Sequence, residues 1–380
     1  MLLEVPSAQT PALPQPPLAA RGEIGAALLH GWDRPRTLRA ALALAAFFGV
    51  AAFILGGGNR FTQGPWFLYI PEVSLIPPIG RAAWDQAFVV HRQSPLYALC
   101  GGYDAGGMES LAIYRFLYAW EWLRIASTAL FAAAVCLASL CLVAGALKSA
   151  ARPALRPWLI SIAAGIAYLV LRYFADHAGL FASINIGQHR HALDLTFASA
   201  GLGLLIAGAV SQRLPPMTFA RAAWALAIAL DIAFGALFEA LDARPLWTSF
   251  PGYTDTILPD AGRLFALHPL WRNFTENGYL IQACHRVLSI GLWAAAAIAA
   301  ATALRHGRGW TQPAALFALL TLEAALGIAT LQAAEQPLVL SIAHQACAIA
   351  VFAAALMPQA QNRVRQGSVV APDRASVHAG

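Results

Sequence analysis

The chain has 380 residues, of which 59% are hydrophobic and only 12% are charged. This charged fraction is about half that of an ordinary soluble domain, and a soluble core of this size could not cover so much apolar surface. The net charge of +6 would suit a nucleic-acid partner, but the Lys and Arg residues are scattered between apolar runs and form no basic stripe. The composition therefore predicts a membrane protein whose surroundings are the lipid bilayer, with no nucleic acid as partner.

The two ends of the chain differ from the rest. Residues 1–36 are rich in Pro and Ala and contain no apolar segment followed by a small-residue cleavage site. We interpret them as a disordered cytoplasmic tail and not as a signal peptide. Residues 358–380 are predicted to form a second disordered cytoplasmic tail.

Eight apolar runs are long enough to cross a bilayer, which takes about 20 largely apolar residues in a helix. They cover residues 38–55, 116–147, 157–174, 193–210, 219–241, 279–304, 313–331 and 337–357. The second run is long enough to tilt or to extend past the bilayer.

Basic residues gather in the tails and in the short linkers that follow the second, fourth and sixth runs. By the positive-inside rule, this places both termini in the cytoplasm. The long loops at residues 56–115 and 242–278 then lie outside. Their Gly, Pro and Trp content predicts ordered caps with short helical pieces.

The two halves of the chain echo each other. The second run carries Glu-Trp-Leu-Arg at 121–124, and the sixth carries Gln-Ala-Cys-His-Arg at 282–286. Gly-Ile-Ala-Tyr-Leu at 165–169 has a counterpart in Gly-Ile-Ala-Thr-Leu at 327–331. We therefore predict an all-α membrane protein of about eight transmembrane helices, arranged by internal duplication as two similar four-helix bundles, residues 37–212 and 213–357.

Two intramembrane histidines lie at matching depth. His285 is about six residues into the sixth run and His344 about seven into the eighth, so both lie about 9–10 Å below the outer boundary. Equal depth on two helices of one bundle suits two axial ligands of a planar macrocycle, and imidazole nitrogen suits haem iron. Arg286 would face a haem propionate or the membrane surface. The alternative is that each histidine makes an interhelical hydrogen bond and binds nothing.

Several short motifs follow one another along the chain. The second half has Pro-Leu-Trp-Arg-Asn-Phe at 269–274, the segment 282–286 and Leu-Gly-Ile-Ala-Thr-Leu at 326–331, followed by His344 and Gln345. The first half has Gly-Gly-Asn-Arg-Phe-Thr at 57–62 and Trp-Glu-Trp at 120–122. Together these resemble the motifs of haem A synthases, over roughly residues 37–357.

The resemblance implies a fold and a function. The fold would be a pair of four-helix bundles, with a haem b held in the C-terminal bundle on His285 and His344. In the N-terminal bundle the family oxidises the C8 methyl of haem O to a formyl group, making haem A for terminal oxidases, and Glu121 matches a functional carboxylate. The implied partners are haem O as substrate, haem O synthase and oxidase assembly proteins. Homo-oligomerisation is left open, and we expect a multi-pass protein of a bacterial inner membrane.

The first half departs from the family's pattern at two positions. Arg124 stands where the motif Glu-x-x-His-Arg has its histidine, and Asp194 stands where the partner histidine is expected. Because a lone charge at membrane depth is costly, we predict a direct Arg124–Asp194 ion pair. The alternative is that each side chain reaches the outer interface separately.

Other residues offer further substrate-cavity candidates. His189 and His191 lie just before Asp194, and either would supply a shifted iron ligand while Arg124 holds a propionate. Glu121 is interpreted either as a proton acceptor near the substrate or as the partner of Arg124, or of Arg60 in the long loop.

Three further acids lie within the apolar runs, namely Asp231, Glu239 and Glu323. We expect each to pair with an Arg or a polar neighbour and not to do chemistry.

Three classes of function follow: a haem A synthase-type enzyme, a non-catalytic haem b protein with a degenerate N-terminal site, and a solute transporter. The sequence has no broken-helix signature that would favour the transporter.

Overall fold

The computed structural model describes residues 35–61, 73–74, 76–93, 110–147, 187–211, 218–253, 256–306, 309–333 and 338–357. Within these ranges the chain is helical, apart from loops and one isolated bridge between Tyr253 and Thr256. Seven of the described helices are long and apolar enough to cross a membrane. The prediction of an all-α multi-pass membrane protein is confirmed. The predicted third run, residues 157–174, and the tail residues 1–34 and 358–380 lie outside the described residues.

The seven candidate spans match seven of the predicted runs. They are α1 (Pro35–Phe61), α3 (Leu111–Leu147), α4 (Gly187–Ser211), α5 (Phe219–Ala240), α8 (Gly278–Arg305), α9 (Thr311–Gln332) and α10 (Leu338–Leu356). The shorter helices are α2 (Arg81–Arg92), α6 (Ala261–Leu264) and α7 (Asn273–Glu276), with 3₁₀ turns at Arg244–Leu246 and Leu270–Arg272.

Three helix ends differ from the sequence prediction by five residues or more. Helix α4 begins at Gly187 and not at residue 193. Helix α1 continues to Phe61, so residues 56–61, which were assigned to the loop, are helical. A helix satisfies its own backbone hydrogen bonds, which favours continuing it beyond the apolar stretch near a membrane. Helix α3 begins at Leu111 and not at residue 116, because the hydroxyl of Ser110 accepts a hydrogen bond from the N–H of Ile113. Its 37 residues span about 55 Å, more than the hydrocarbon core of about 30 Å, which is long enough to tilt or to extend past the bilayer.

The last four long helices form a closed ring. Helix α5 packs against α8, α8 against α9, α9 against α10, and α10 back against α5. Their facing sides are apolar, with Ile232, Ile281, Leu320 and Ile349 buried in one core. Because α4 packs on both α5 and α10, and α1 packs on α3, α4 and α10, the two halves of the chain meet along α4. The division into two duplicated bundles stays a prediction.

Residues 241–277, here called the cap, join α5 to α8 over one end of the ring. Asn273 is fully buried, and its Nδ2 donates to the carbonyls of Leu267 and Leu270. Asn277 caps α8 by accepting from the N–H of Tyr279, and its Nδ2 donates to the carbonyl of Arg263. These bonds satisfy backbone groups that a loop would otherwise leave to water. The prediction of an ordered cap with short helical pieces is confirmed here.

The first long loop also contains a helical piece, α2, which packs on the start of α3. The rings of Trp84 and Tyr118 meet edge to face at 5.1 Å, and Tyr114 and Leu117 are buried beside them. The hydroxyl of Tyr118 accepts a hydrogen bond from the N–H of Ser74 at 3.0 Å. The aromatic cluster therefore holds α2 against the membrane helix.

Candidate functional site

A cavity of about 580 Å³ lies inside the ring of α5, α8, α9 and α10. This volume is in the range of cofactor and small-molecule sites, which run from about 300 to 1,000 Å³. Helix α4 adds Leu195 and Ser199 to its wall, and the cap adds Arg244 and Phe250. His285 and His344 both line it, so the two histidines that the sequence placed at equal depth reach one space.

His285 is held by a carboxylate on the neighbouring helix. Its Nδ1 lies 2.8 Å from Oδ1 of Asp231 on α5 and 3.1 Å from the backbone oxygen of the same residue. The hydroxyl of Ser289, one turn further along α8, lies 2.9 Å from both carboxylate oxygens of Asp231. The imidazole is therefore fixed through Nδ1. Its Nε2 makes no hydrogen bond to a described residue.

His344 has a comparable neighbour on the other side of the ring. Its Nδ1 lies 3.1 Å from Oε1 of Glu323 on α9, although the geometry falls short of a hydrogen bond. Its Nε2, like that of His285, makes no hydrogen bond to a described residue. A histidine whose Nδ1 contacts a carboxylate and whose Nε2 is open is the usual arrangement of a metal ligand in proteins.

Each histidine ring also packs against a glycine. A Cβ added to Gly235 on α5 would lie 3.2 Å from Cε1 of His285, and one added to Gly327 on α9 would lie 3.0 Å from Cε1 of His344. Either position is too tight for a side chain unless the ring moves. Glycine at both positions therefore permits a close approach of the imidazole that a side chain would force back by a few tenths of an ångström.

The two histidine sites share one pattern. Gly235 comes four residues after Asp231, and Gly327 comes four residues after Glu323. Residues four apart lie on the same face of a helix, so each acid and its glycine face the same ring. Sequence reasoning assigned the acids to pairing and did not connect them to the histidines. The repeated acid-x-x-x-Gly spacing in two apolar runs was the signal that could have done so.

Arg286 lines the cavity next to His285, and the cap engages it. Its two terminal nitrogens donate to the carbonyls of Trp247 at 2.7 Å and Ser249 at 2.6 Å. Its guanidinium carbon lies 3.9 Å from the centre of the Trp247 ring. A guanidinium has five N–H donors, so these two bonds leave donors for a further anion.

The third acid, Glu239 on α5, joins three helices. Its Oε2 accepts a hydrogen bond from Nε2 of Gln345 on α10 at 2.8 Å and lies 3.5 Å from Nε2 of His191 on α4. With Asp231 beside Ser289 and Glu323 beside His344, the prediction that these three acids have polar neighbours is confirmed. His191, a candidate for a first-half substrate cavity, lies beside Glu239, which lines the cavity of His285 and His344.

The first-half candidates are arranged differently. Glu121 is buried, and its carboxylate pairs with the guanidinium of Arg124, with Arg124 Nε donating to Oε2 at 2.8 Å. The interpretation of Glu121 as the partner of Arg124 is confirmed. Asp194 lies 3.8 Å from Arg190 on its own helix. The direct Arg124–Asp194 ion pair stays a prediction, and each charge already has an opposite charge on its own helix.

The remaining candidates are His189 and Arg60. His189, near the start of α4, has a buried Nδ1. The pKa of Glu276 in the cap is lowered mainly by its hydrogen bond with Arg272, and His189 adds a smaller electrostatic contribution in the same direction. Arg60 lies in the last turn of α1, and its side chain is outside the described part of the molecule.

The fold and cavity define a multi-pass helical membrane protein in which two histidines line one cavity at the capped end. Residues 71–356 match the family model described as cytochrome oxidase assembly protein, COX15-CtaA. Haem A synthase of Rhodopseudomonas palustris (strain BisA53) is 31% identical over 323 residues, covering 80% of this chain and 85% of the relative. Haem A synthase of Bradyrhizobium diazoefficiens is 30% identical, covering 84% and 89%. The chain belongs to this family of cytochrome oxidase assembly proteins, the haem A synthases.

Proposed function

We propose that this chain is a haem A synthase-type oxidoreductase that holds a haem b between His285 and His344. In this proposal the N-terminal half oxidises the C8 methyl of haem O to the formyl of haem A, for terminal oxidase assembly. One observation supports it most strongly: two histidines on different helices reach one cavity, each with Nδ1 beside a carboxylate and Nε2 open. When bound, the haem would supply one-electron transfer to the reaction.

The residues of the cavity fit such a group. Asp231 and Glu323 orient the two imidazoles, and Gly235 and Gly327 make room for their rings. Apolar side chains of the surrounding helices exclude water, which a large planar apolar cofactor requires. Arg286 retains donors that would bind a propionate at the capped end of the cavity.

In the N-terminal half, the substrate-cavity candidates are Arg60, Arg124, Asp194, His189 and His191. Glu121 would act as the proton acceptor beside the substrate, with Arg124 holding its carboxylate in place. In this pair Arg124 supplies the positive charge that binds a propionate, and Glu121 supplies the carboxylate that accepts a proton.

The proposed setting is a bacterial inner membrane with both termini in the cytoplasm, and the proposed partners are haem O synthase and oxidase assembly proteins.

One observation favours a second function, a non-catalytic membrane haem b protein that transfers electrons or assists oxidase assembly. Arg124 occupies a position expected to hold an iron ligand, and Glu121 already pairs with it. A salt-bridged guanidinium cannot ligate iron. In this alternative the first half is degenerate and only the His285–His344 site is retained.

Co-expression with a haem O synthase, followed by extraction and chromatography of the haems, tests these two functions. The enzyme predicts haem A, or hydroxylated haem O, in the extract. Recovery of one low-spin haem b per chain with neither product supports the non-catalytic alternative.

Matched variants test the ligand assignment in the same experiment. His285→Ala and His344→Ala should each abolish the low-spin haem spectrum, while His306→Ala, at the opposite end of α8, should keep it. A low-spin spectrum that survives both cavity changes would contradict the assignment.

A further inference from the structure

Glu239 and His191 form a buried ionisable pair where α4 meets the cavity of His285 and His344. Glu239 lines the cavity, and its side chain is 14% exposed, while that of His191 is 22% exposed. Among the described residues, Oε1 of Glu239 and Nε2 of His191 are both buried without a hydrogen-bond partner. Buried polar atoms normally have a hydrogen-bond partner. The two unpartnered atoms, Oε1 of Glu239 and Nε2 of His191, can therefore each accept a proton.

The position of the pair links it to the second histidine of the cavity. Oε2 of Glu239 accepts from Gln345, which directly follows His344 on α10. His191 comes from the N-terminal half, so the pair also lies at the boundary between the halves. A change of charge in the cavity therefore acts on Glu239, which lines the cavity. No described hydrogen bond joins Glu239 to His285 or His344.

Other charged and titratable groups surround the pair, and among them Oε2 of Glu323 and Nδ1 of His344 are also buried without a hydrogen-bond partner in the described part of the chain. Arg190, next to His191 on α4, lies beside Asp194, and His189 contributes electrostatically to the lowered pKa of Glu276 in the cap, after the larger effect of Arg272. The other ionisable residues that line the cavity are Asp231, Asp242, Arg244, His285, Arg286 and Glu323, with His344. Asp231 and Glu323 each lie against a histidine, and Arg286 is bonded to the cap.

We propose that Glu239 and His191 form a redox-linked proton site, which takes up one proton when one electron enters the haem cavity. This inference rests on the proposed haem site. The electron comes from a one-electron donor and the proton from the aqueous phase, so the charge of the cavity stays constant. Because like charges in a poorly solvated interior repel, added negative charge favours the protonated form of the pair. Reduction then becomes harder as the pH rises, since the compensating proton is scarcer.

Spectroelectrochemical titration of the full-length, haem-loaded protein tests the proposal between about pH 5 and 8, where histidine-linked sites titrate. The midpoint potential of the wild type should fall as the pH rises. Glu239→Gln keeps the size of the side chain and an acceptor for Gln345, and it should make the potential independent of pH. His191→Gln should reduce the slope. The control Asp85→Asn, an exposed carboxylate on α2, should keep it.

A second measurement covers the case in which Glu239→Gln does not fold. The redox difference infrared spectrum of the wild type should contain a carboxylic acid band that shifts in D₂O, and His191→Gln should alter it. A pH-independent wild type, an unchanged slope in Glu239→Gln, or the absence of that band would overturn the proposal.

The outcomes separate this inference from the proposed function. If His285→Ala and His344→Ala lose the low-spin spectrum while Glu239→Gln keeps the wild-type slope, only the proton site is refuted. If the two histidine variants keep the spectrum, the haem site itself fails and the proton site with it.

Discussion

At the scale of single residues, the cavity depends on contacts between histidine, acid and glycine. A helix places a residue four positions after another on the same face, so Asp231 and Gly235 meet one imidazole and Glu323 and Gly327 meet the other. The glycines allow the rings to come closer than a side chain at either position would without a shift of the ring. Each histidine thus depends on a carboxylate that orients its imidazole and on a glycine that lets the ring pack closely. Substitutions can change these two contacts separately.

The glycine requirement is tested by Gly235→Ala and Gly327→Ala. The new methyl groups would lie 3.2 and 3.0 Å from Cε1 of the two histidines and push the rings away. We expect each variant to lose haem about tenfold faster, equivalent to about 1.4 kcal/mol. Transfer of haem to apo-myoglobin measures this rate. Gly291→Ala on α8 is the control, since a Cβ there meets nothing within 4 Å. Equal rates in all three variants would contradict the role given to the glycines.

The carboxylates are tested by Asp231→Asn and Glu323→Gln. A carboxylate beside Nδ1 increases the electron donation of a ligating imidazole and favours oxidised iron, so its removal should raise the midpoint potential. We expect the larger rise for Asp231→Asn, because the Asp231–His285 contact is 2.8 Å and the Glu323 contact is 3.1 Å and poorly aligned. Redox titration at one pH measures both. A fall in potential, or no change in either variant, would refute this role.

At the scale of helices, α4 and α10 pack through a close approach of Gly203 to Phe352. A Cβ on Gly203 would lie 2.8 Å from Cδ1 of Phe352 and 3.2 Å from the backbone nitrogen of Ala353. The phenyl ring can rotate, but the backbone atom cannot move without shifting α10. The contact therefore fixes how closely the two halves of the chain approach.

Gly203→Ala should destabilise the protein even though alanine favours a helix by about 1 kcal/mol over glycine. Overpacking of this kind costs about 1–3 kcal/mol. A lower melting temperature in detergent is expected, while Gly208→Ala, where a Cβ meets nothing within 4 Å, should show no decrease. A Gly203→Ala protein as stable as the Gly208→Ala protein would mean that α4 and α10 adjust without cost.

The cap is an element whose stability depends on pH through Glu276. Arg272 donates to Oε2 of Glu276 from Nε at 3.0 Å and from a terminal nitrogen at 2.5 Å, and these bonds hold the pKa of the carboxyl below its ordinary value of 4.5. A smaller electrostatic contribution from His189 acts in the same direction. A folded-state pKa below the unfolded value contributes stability above the unfolded pKa, and this contribution is lost as the pH falls through the folded pKa.

Glu276→Gln should therefore loosen the cap at pH 7 and make no difference at a pH well below 4.5. Hydrogen exchange of residues 261–277 at the two pH values measures this. Faster exchange in the variant to the same degree at both pH values would show that the ion pair is not the cause.

At the scale of the whole molecule, the cavity that His285 and His344 line is not built by the C-terminal half alone. Leu195 and Ser199 of α4 complete its wall, and His191 of the same helix reaches Glu239. The cavity therefore contains residues from both sides of the boundary predicted between residues 212 and 213.

Separate expression of the halves tests this shared wall. A fragment of residues 213–380 should lose haem faster than the full chain, because the missing α4 opens the cavity to water or lipid. Co-expression with residues 1–212 should restore retention. A fragment that keeps its haem as long as the full chain would show that the α4 wall is dispensable.

The sequence alone determined the membrane class and seven of the helices now described, and it predicted equal depth for the two histidines. Apolar runs of about 20 residues have few structures available in a bilayer, and the rise of 1.5 Å per residue fixes how deep each residue lies. That is why His285 and His344 could be placed together before any contact was known. Helix ends were less certain, because the Ser110 cap and the continuation of α1 depend on local hydrogen bonds that hydropathy does not register.

Only the tertiary structure decided which faces meet. Depth along a helix follows from counting residues, but the rotation of each helix about its axis follows from packing against all its neighbours. Packing brought Asp231 to His285 and Glu323 to His344, and it placed His191 beside Glu239. It also placed the carboxylate of Glu121 against the guanidinium of Arg124. The sequence thus set the level of each group in the membrane, and the packing of the helices chose its partners.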